Sequence, residues 1–528
     1  MKTAPYVKSL LVSLSMSIAL GVATYSVLPV TIAAVVTSVP QVAADVVVSD
    51  GTSRASAAAM ATATNPASSA DQIKRGEYLA LAADCIACHT VDKAKPFAGG
   101  YPLATPFGTI YGPNITPDKE TGIGTWTDEE FIRALHLGIG KHGEHLYPAF
   151  PYTSFTKLSR DDVLAIKAYL FSLPAINQKT PENKLPFPLN QRELLAGWNL
   201  FNFTPGRWQP DPAKSVEWNR GVYLVEGLAH CQECHTPRNI TMGVNSKLAF
   251  SGAQLGGWTA YNITPDAVSG VGGWKDAELV QYLQTGVVAD KASAGGGMAE
   301  AIEHSLQYLT DADVKAIVTY LRSVPAIHNE GDLKPRYAWG APSQDDADLR
   351  GIALVSNSIV ASGGAELFSG NCASCHSASG SGVVGGYYPS LFHNTVVGAR
   401  DPSNLLMVIL NGVSRNGKRN GKSDEAFMPG FAQHLTDPQI ALLSNYVLKQ
   451  YGNPDGATIT ADQVKIQRQG GPRSPIIALL PWGMGLGGLI LLYLIYLFSR
   501  RGGRKAGRRE IQRTNTNDQH TQPPKKES

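Results

Sequence analysis

The sequence predicts a mainly α-helical chain of three tandem domains followed by a C-terminal transmembrane helix. Three observations predict this plan: a Cys-x-x-Cys-His motif that occurs three times, a long internal repeat, and an uncharged apolar run near the C-terminus. A length of 528 residues is sufficient for three modest domains.

The internal repeat has a constant offset of 148 residues. Asn114-Ile115-Thr116-Pro117-Asp118 recurs as Asn262-Ile263-Thr264-Pro265-Asp266, and Gly122, Gly124 and Trp126 recur as Gly270, Gly272 and Trp274. A period of this size indicates duplicated domains rather than a solenoid. The predicted domains cover residues 71–190, 215–330 and 355–452, separated by polar stretches that contain Pro or Gly.

Each unit is expected to open and close with a helix. The closing helices begin at Ser159, Thr310 and Thr436, whose hydroxyls suit an N-cap. Apolar residues then recur at helical spacing. The opening helices lead into the cysteine motifs and carry Gly76, Gly221 and Gly364.

The N-terminus has the pattern of an export signal. Lys2 and Lys8 precede an apolar stretch from Leu10 to about Val36, and Val42-Ala43-Ala44 suits cleavage before Asp45. We therefore expect a signal peptide at 1–44 and a flexible linker at 45–70. An uncleaved N-terminal anchor is the alternative.

The C-terminal apolar run, Pro475 to Phe498, contains 24 residues without a charge. This length can span a bilayer core of about 30 Å. Arginines and lysines follow directly, so the positive-inside rule places the tail, 499–528, in the cytoplasm. The preceding domains would then lie on the periplasmic side of the inner membrane.

Composition argues against a nucleic-acid partner, and the cysteines are confined to three motifs. The net charge of +3 and the lack of a basic face argue against nucleic acid. All six cysteines fall in the three motifs: Cys85 with Cys88, Cys231 with Cys234, and Cys372 with Cys375. No cysteine is left for an ordinary disulfide.

Each cysteine pair is followed directly by a histidine: His89, His235 and His376. Cys-x-x-Cys-His is the attachment signal of c-type heme. Two thiols on one helical turn can reach the two vinyl groups, and the adjacent imidazole then lies under the iron. A zinc site or a redox dithiol is the alternative for one such motif, but neither explains three copies on an exported chain.

The sixth ligand of an electron-transfer heme is usually Met or a second His. Met298 and Met428 are the candidates in units two and three, because each is expected on a loop next to Gly or Pro. Met407, in an apolar helical stretch, and Met242, close to Cys234, are the weaker competitors.

Unit one departs from this pattern. The repeat places Phe150 opposite Met298, and no Met occurs between Ala61 and Thr241. His136, His142 and His145 remain as candidates, and His145, five residues before Phe150, is our choice. A five-coordinate heme is the open alternative, and it would permit a heme peroxidase.

These motifs, together with the Asn-Ile-Thr segments, Met298 to Leu309 and the C-terminal anchor, resemble one family across about Asp71 to Arg501. This family is the triheme cytochrome c subunit of membrane-bound bacterial alcohol, aldehyde, sugar and sugar-acid dehydrogenases. The resemblance implies cytochrome c-like domains, covalent heme c, no substrate site, and electron relay from a large dehydrogenase subunit to ubiquinone. It also implies proximal ligation by His89, His235 and His376, and distal ligation by Met298 and Met428.

Phe150 bears on the identity of the partner. Much of the family has Tyr-Pro-Ala-Met-Pro-Tyr where this chain has Tyr147-Pro148-Ala149-Phe150-Pro151-Tyr152. The Phe form resembles cytochromes that serve molybdenum hydroxylases, which implies an aldehyde dehydrogenase with molybdopterin and a small iron–sulfur subunit. The alternative is a flavin- or pyrroloquinoline quinone-dependent alcohol, sugar or gluconate dehydrogenase.

Overall fold

The computed structural model describes residues 69–343, 363–383, 388–419 and 422–472, with parts of 479–497. The expected signal peptide, most of the linker and the cytoplasmic tail lie outside these residues. Within the described part, the fold is mainly helical with four two-stranded antiparallel hairpins, in agreement with the predicted class.

The first unit packs its opening helix against its closing helix. The elements are α1 (Ser69–Ala82), α2 (Cys85–His89), β1 (Pro102–Thr105), β2 (Gly108–Tyr111), α3 (Asp128–Leu137), α4 (Tyr152–Phe155) and α5 (Arg160–Ser172). As predicted, Ser159 caps α5, because its side chain accepts a hydrogen bond from the backbone N–H of Asp162.

A helix that the sequence analysis did not predict connects the first two units. It is α6 (Leu194–Asn202), in a stretch expected to be irregular and polar. Its sequence, Leu-Leu-Ala-Gly-Trp-Asn-Leu-Phe-Asn, is apolar, and Leu200 and Phe201 are 79% and 77% exposed. The helix was not predicted because this short apolar run lies between segments that contain Pro, which are typical of irregular structure.

The second unit repeats this order. Its elements are α7 (Val216–Val222), a π-helical turn (Tyr223–Leu228), α8 (Gln232–His235), β3 (Ala253–Leu255), β4 (Trp258–Ala260), α9 (Asp276–Thr285), β5 (Val287–Val288), β6 (Ala292–Ser293), α10 (Gly296–His304), a 3₁₀ turn (Leu306–Tyr308) and α11 (Asp311–Leu321). The Thr310 side chain caps α11 by accepting from the N–H of Asp313.

In the described residues, the third unit has a further helix packed against its closing helix. Its elements are α12 (Gly364–Asn371), α13 (Ala373–His376), α14 (Ser403–Asn411), β7 (Val413–Arg419), β8 (Lys422–Met428), α15 (Asp437–Tyr451) and α16 (Ala461–Arg468). The Gln439 side chain accepts from the N–H of Thr436, as the capping box predicts. Helix α16 lies beyond residue 452 and buries Val464 against α15.

Glycine sets the crossing of the opening and closing helices in every unit. A Cβ on Gly76 would lie 1.8 Å from the carbonyl oxygen of Ala165, and one on Gly221 would lie 2.1 Å from that of Ala316. On Gly364 it would lie 2.5 Å from the carbonyl oxygen of Leu442. The three glycines therefore let the two helix backbones approach within contact distance.

The hydrophobic core is shared unequally among the units. One continuous cluster runs through units one and two, from Leu79 in α1 to Val324 after α11. Unit three has its own cluster around Phe368, Ile440 and Leu443. The first two units therefore fold against each other, whereas the third is a separate core.

The predicted membrane span, 475–498, is described only in part. Among the residues that the structure describes, no helix is long and apolar enough to cross a membrane.

Candidate functional site: three heme attachment motifs

Each Cys-x-x-Cys-His motif forms a short helix, or begins at the N-cap residue of one, after the opening helix of its unit. None of their six cysteines, all in the described part of the chain, forms a disulfide: Cys85, Cys88, Cys231, Cys234, Cys372 and Cys375. Burial raises the pKa of Cys85, Cys88, Cys231 and Cys372 to about 12, and that of Cys234 to about 11. A dithiol exchanger requires a lowered thiol pKa, so these five thiols do not fit that chemistry.

The third motif, like the second, whose Cys231 is the N-cap residue of α8, begins one residue before its helix. Cys372 is the N-cap residue of α13, and Cys375 lies inside that helix. The N–H of Cys375 donates to the carbonyl oxygen of Cys372 at 3.1 Å, so the two residues are joined by a single turn. Both are half-buried, and the Ser374 hydroxyl lies 3.9 Å from the Cys375 sulfur. Cys372 and Cys375 are thus brought together as the spacing predicts, and their attachment to heme stays a prediction.

The three motif histidines share one orientation. Nδ1 of His89 donates to the carbonyl oxygen of Pro113 at 2.7 Å, and Nδ1 of His235 to that of Tyr261 at 2.7 Å. Nδ1 of His376 donates to the carbonyl oxygen of Pro389 at 2.9 Å. Because a carbonyl can only accept, Nδ1 carries the proton and Nε2 keeps its lone pair for a metal.

Burial also keeps these imidazoles neutral. It lowers the pKa of His89, His235 and His376, and the hydrogen bonds to the backbone carbonyls oppose this effect only in part. A neutral, oriented imidazole beside two thiols on one turn is the donor set that a covalent heme requires.

The repeated Asn-Ile-Thr segment explains how the accepting carbonyl is held in units one and two. The Asn114 side chain donates to the carbonyl oxygen of Ile176 at 2.8 Å, and that of Asn262 donates to Ile327 at 2.7 Å. Each asparagine oxygen also accepts from the N–H two residues later, at Thr116 and Thr264. The asparagines thus fix the loop whose preceding residue, Pro113 or Tyr261, accepts from the histidine.

The zinc alternative concerns the ligand side chains in the part of the chain that the structure describes. There, no group of three or more His, Cys, Asp and Glu side chains is arranged to hold a metal ion. A Cys-x-x-Cys-His helix alone supplies fewer protein ligands than a closed structural zinc site uses.

The two methionine candidates lie on regular elements, which corrects the expectation that both are on loops. Met298 is in the first turn of α10, and Met428 is the last residue of β8, paired with Val413. Both lie beside the predicted loop residues rather than within a loop. The shift has a physical reason: Gly295 begins a helix as its N-cap, and Pro429 ends a strand.

The competing methionines have other surroundings. Met407 is 6% exposed in α14, and its sulfur lies against Gly257 of unit two. Met242 lies in a turn with a φ of 65°. Neither position changes the assignment of Met298 and Met428, which remains a prediction.

In unit one the three histidine candidates occupy different environments. His136 is buried in α3, where burial lowers its pKa to about 4, and His142 is exposed. His145 is half-buried: its Nδ1 lies 3.5 Å from the Asn199 side-chain nitrogen of α6, and its carbonyl oxygen accepts from Arg192. Phe150 packs edge-on against Phe155, with 5.5 Å between ring centroids.

The attachment motifs of units one and two each contact a segment of the other unit. Helix α10, which carries Met298, contacts α2 with its Cys85–His89 motif. In turn, Thr153 of unit one donates to the Glu233 carboxylate, inside the second motif, at 2.7 Å. We call the part of each unit around its candidate sixth ligand the distal segment: residues 145–155 in unit one, 295–304 in unit two and 413–428 in unit three. The distal segments of units one and two thus lie against the motif of the other unit.

Units two and three meet through their distal segments. A Cβ on Gly295, at the start of α10, would lie 3.7 Å from the Val413 side chain, and Val413 pairs with Met428. Asn404 and Thr259 exchange two hydrogen bonds across the same boundary, at 2.8 and 2.9 Å. The helix that carries Met298 and the hairpin that carries Met428 therefore contact each other.

Sequence reasoning missed the groups that orient the histidines. The carbonyls of Pro113, Tyr261 and Pro389 are backbone atoms, so no residue type identifies them. The signal that could have located two of them is the repeated Asn-Ile-Thr, because it follows the accepting residue directly.

Comparison with known proteins agrees with this geometry. The family model for cytochrome c matches residues 73–174 and 361–450, which implies covalently bound heme c. The fructose dehydrogenase cytochrome subunit of Gluconobacter japonicus is 43% identical over 468 residues, 85% of this chain and 95% of that protein.

Two further relatives have similar names. The gluconate 2-dehydrogenase cytochrome c subunit of Pantoea cypripedii is 38% identical and covers 75% of this chain and 89% of its own length. The alcohol dehydrogenase (quinone) cytochrome c subunit of Gluconobacter oxydans is also 38% identical, over 76% of this chain and 83% of that protein. The chain therefore belongs to the family of cytochrome c subunits of membrane-bound dehydrogenases.

Proposed function

We propose that this chain is a triheme electron-transfer subunit that accepts electrons from a large dehydrogenase subunit and delivers them to ubiquinone. The observation that carries the proposal is the repeated orientation of His89, His235 and His376, each with Nε2 available to an iron. Heme c supplies reversible one-electron transfer when it is bound. The protein supplies ligands, orientation and a buried environment.

The contacts between units support a linear route. Unit two contacts unit one through the attachment motifs and unit three through the distal segments. The second heme would therefore be the middle station of the relay. The proposed anchor at 475–498 would hold the heme domains on the periplasmic side of the inner membrane, within reach of the quinone.

The names of the relatives favour one class of partner. They are cytochrome subunits of fructose, gluconate and alcohol dehydrogenases. A flavin- or pyrroloquinoline quinone-dependent enzyme that oxidises sugars, sugar acids or alcohols is therefore the better-supported partner. The aldehyde dehydrogenase with molybdopterin and a small iron–sulfur subunit is the second candidate, favoured by Phe150 in the position where much of the family has Met.

Purification of the native complex tests the proposal. The full chain would be tagged, extracted from its own membranes in mild detergent, and the co-purifying subunits assayed for flavin, pyrroloquinoline quinone and molybdenum. We expect a large subunit with flavin or pyrroloquinoline quinone. Molybdenum with an iron–sulfur subunit would transfer the assignment to aldehyde oxidation, and the absence of any large subunit would contradict the relay.

A second test separates electron transfer from heme peroxidase chemistry at the first heme. If His145 is the sixth ligand, the reduced wild-type protein should not bind carbon monoxide, and His145→Gln should bind it at one heme. His142→Gln is the matched control, because His142 is an exposed histidine three residues away. Carbon monoxide binding and peroxide turnover by the wild type would instead support the open heme.

A further inference from the structure

Two tyrosines link units one and two through reciprocal hydrogen bonds. The Tyr78 hydroxyl of unit one donates to the Asp313 carboxylate of unit two at 2.6 Å. The Tyr223 hydroxyl of unit two donates to the Asp162 carboxylate of unit one at 2.5 Å. We call these two pairs the tyrosine clasp.

Each tyrosine hydroxyl also accepts a hydrogen bond from the partner unit. The N–H of Thr310, the N-cap residue of α11, donates to Tyr78 at 3.1 Å. The N–H of Ser159, the N-cap residue of α5, donates to Tyr223 at 3.0 Å. Each tyrosine hydroxyl therefore donates one hydrogen bond and accepts another. Both bonds are made with the beginning of the other unit's closing helix.

Each carboxylate in the clasp is also paired with an arginine of its own unit. Arg220 contacts Asp313 at 2.7 and 2.8 Å, and Arg75 contacts Asp162 at 2.6 Å. Asp313 and Asp162 are 8% and 5% exposed. Buried charges that are paired and hydrogen-bonded hold their partners in one geometry, because leaving a carboxylate without its partners is unfavourable.

The surrounding contacts follow the same two-fold pattern. Helix α1 contacts the 3₁₀ turn at Leu306–Tyr308, and α4 contacts the π-helical turn at Tyr223–Leu228. The distal segment of each unit lies against the attachment motif of the other. Duplicated units that meet through equivalent surfaces form an isologous interface, in which one contact recurs twice.

We propose that Tyr78 and Tyr223 are positioning residues that hold the first two heme attachment motifs in one fixed mutual arrangement. Their hydrogen bonds run to the first turns of the opposite unit's closing helix and not to a Cys-x-x-Cys-His motif. Both act through the helix N-termini of the opposite unit, so that the two units move as one body. The functional role of this arrangement rests on the proposed electron-transfer function. The arrangement itself is argued from the contacts of the tyrosine clasp.

The test uses the full-length holoprotein in detergent with Tyr78→Phe, Tyr223→Phe and the double variant. Tyr337→Phe is the control, because its hydroxyl donates to the Gly273 carbonyl at 3.1 Å, away from the clasp. The first readout is amide hydrogen exchange at Thr310 and Ser159. The second is circular dichroism in the Soret region, which depends on the mutual orientation of neighbouring hemes.

Loss of one charge-assisted hydrogen bond corresponds to about a tenfold rise in local opening. We expect each single substitution to raise exchange at both amides, because both pairs close the same interface, and the double variant to change the Soret signal. Tyr337→Phe should change neither. Exchange that rises only at the substituted pair, or a Soret signal that the double variant leaves unchanged, would overturn the positioning role.

These readouts do not depend on the dehydrogenase partner or on quinone. If the relay function were wrong, exchange and dichroism would still report whether the clasp holds the two motifs. Failure of the proposed function would appear only in the purification and turnover experiments.

Discussion

At the residue scale, a single backbone hydrogen bond decides what each motif histidine can do. A carbonyl at 2.7 to 2.9 Å from Nδ1 fixes the tautomer, with the proton on Nδ1. The lone pair of Nε2 is then available to bind a metal. The Cys-x-x-Cys-His spacing already predicted these histidines. The atoms that orient them are about 13 to 26 positions away, as for Pro389 with His376 and Tyr261 with His235.

The methionine assignment leads to a prediction at this scale. Met298→Ala and Met428→Ala should each lower the reduction potential of one heme, because a thioether ligand favours the reduced iron. The change should be a sizeable part of the roughly 0.8 V range that axial ligands control. A spectroelectrochemical redox titration of the holoprotein measures it.

Met242→Ala is the control for this pair, because Met242 is the competing residue in unit two and lies in a turn. Carbon monoxide should bind the two ligand variants after reduction and should not bind the control. If the reduction potential fell in Met242→Ala and stayed constant in Met298→Ala, Met242 and not Met298 would be the sixth ligand in unit two.

At the element scale, the crossing of opening and closing helices depends on the absence of a side chain. A Cβ on Gly221 would lie 2.1 Å from the carbonyl oxygen of Ala316 and 2.7 Å from the Tyr320 Cβ. Neither group can move without separating α7 from α11. The sequence shows glycine at this point in all three units, but only the packed helices show why.

We therefore expect Gly221→Ala to reduce the free energy of unfolding by about 1–3 kcal/mol through overpacking. Gly197→Ala is the matched control, because a Cβ at Gly197 in helix α6 has no neighbour within 4 Å. There, the substitution should stabilise by roughly 0.5–1 kcal/mol through helix propensity. Denaturant unfolding followed by far-ultraviolet circular dichroism measures both, and equal effects would refute the crossing argument.

At the scale of the whole molecule, units one and two form one body and unit three another core. The continuous cluster from Leu79 to Val324 and the tyrosine clasp join the first two units. The junction to unit three has its own contacts, such as Asn404 with Thr259. The molecule thus has one close junction within a shared core and one junction between two cores.

The clasp should weaken in acid. Burial raises the pKa of Asp313, but hydrogen bonds from Arg220 and Tyr78 outweigh it, so the net pKa lies below its ordinary value. A depressed carboxyl pKa contributes stability that is present above the unfolded pKa of about 3.9 and is lost as pH falls through the folded value. We expect the denaturant concentration at the unfolding midpoint of the first core to decrease when the pH is lowered below about 4.

Asp313→Asn should lower stability at neutral pH and flatten this acid dependence, as measured by denaturant unfolding between about pH 3 and 7. Asp311→Asn, at an exposed position in the same helical turn, is the control. An acid limb that persists unchanged in Asp313→Asn would assign the effect to other carboxylates.

The sequence by itself determined the parts of this protein whose chemistry is local. The three Cys-x-x-Cys-His motifs, the helix caps at Ser159 and Thr310, and the duplication follow from spacing along the chain, because thiols, imidazole and caps act within one or two helical turns. The assignment of His145, Met298 and Met428 stays a prediction.

Only the tertiary structure decided how the units meet. The carbonyls that orient the histidines, the apolar helix α6, and the clasp of Tyr78 with Asp313 and Tyr223 with Asp162 join residues that are far apart in the chain. Tyr78 and Tyr223 are visible in the sequence as repeated aromatics in opening helices. Their partners could not be predicted, since pairing across an interface depends on which surfaces pack, and that is set by the whole fold.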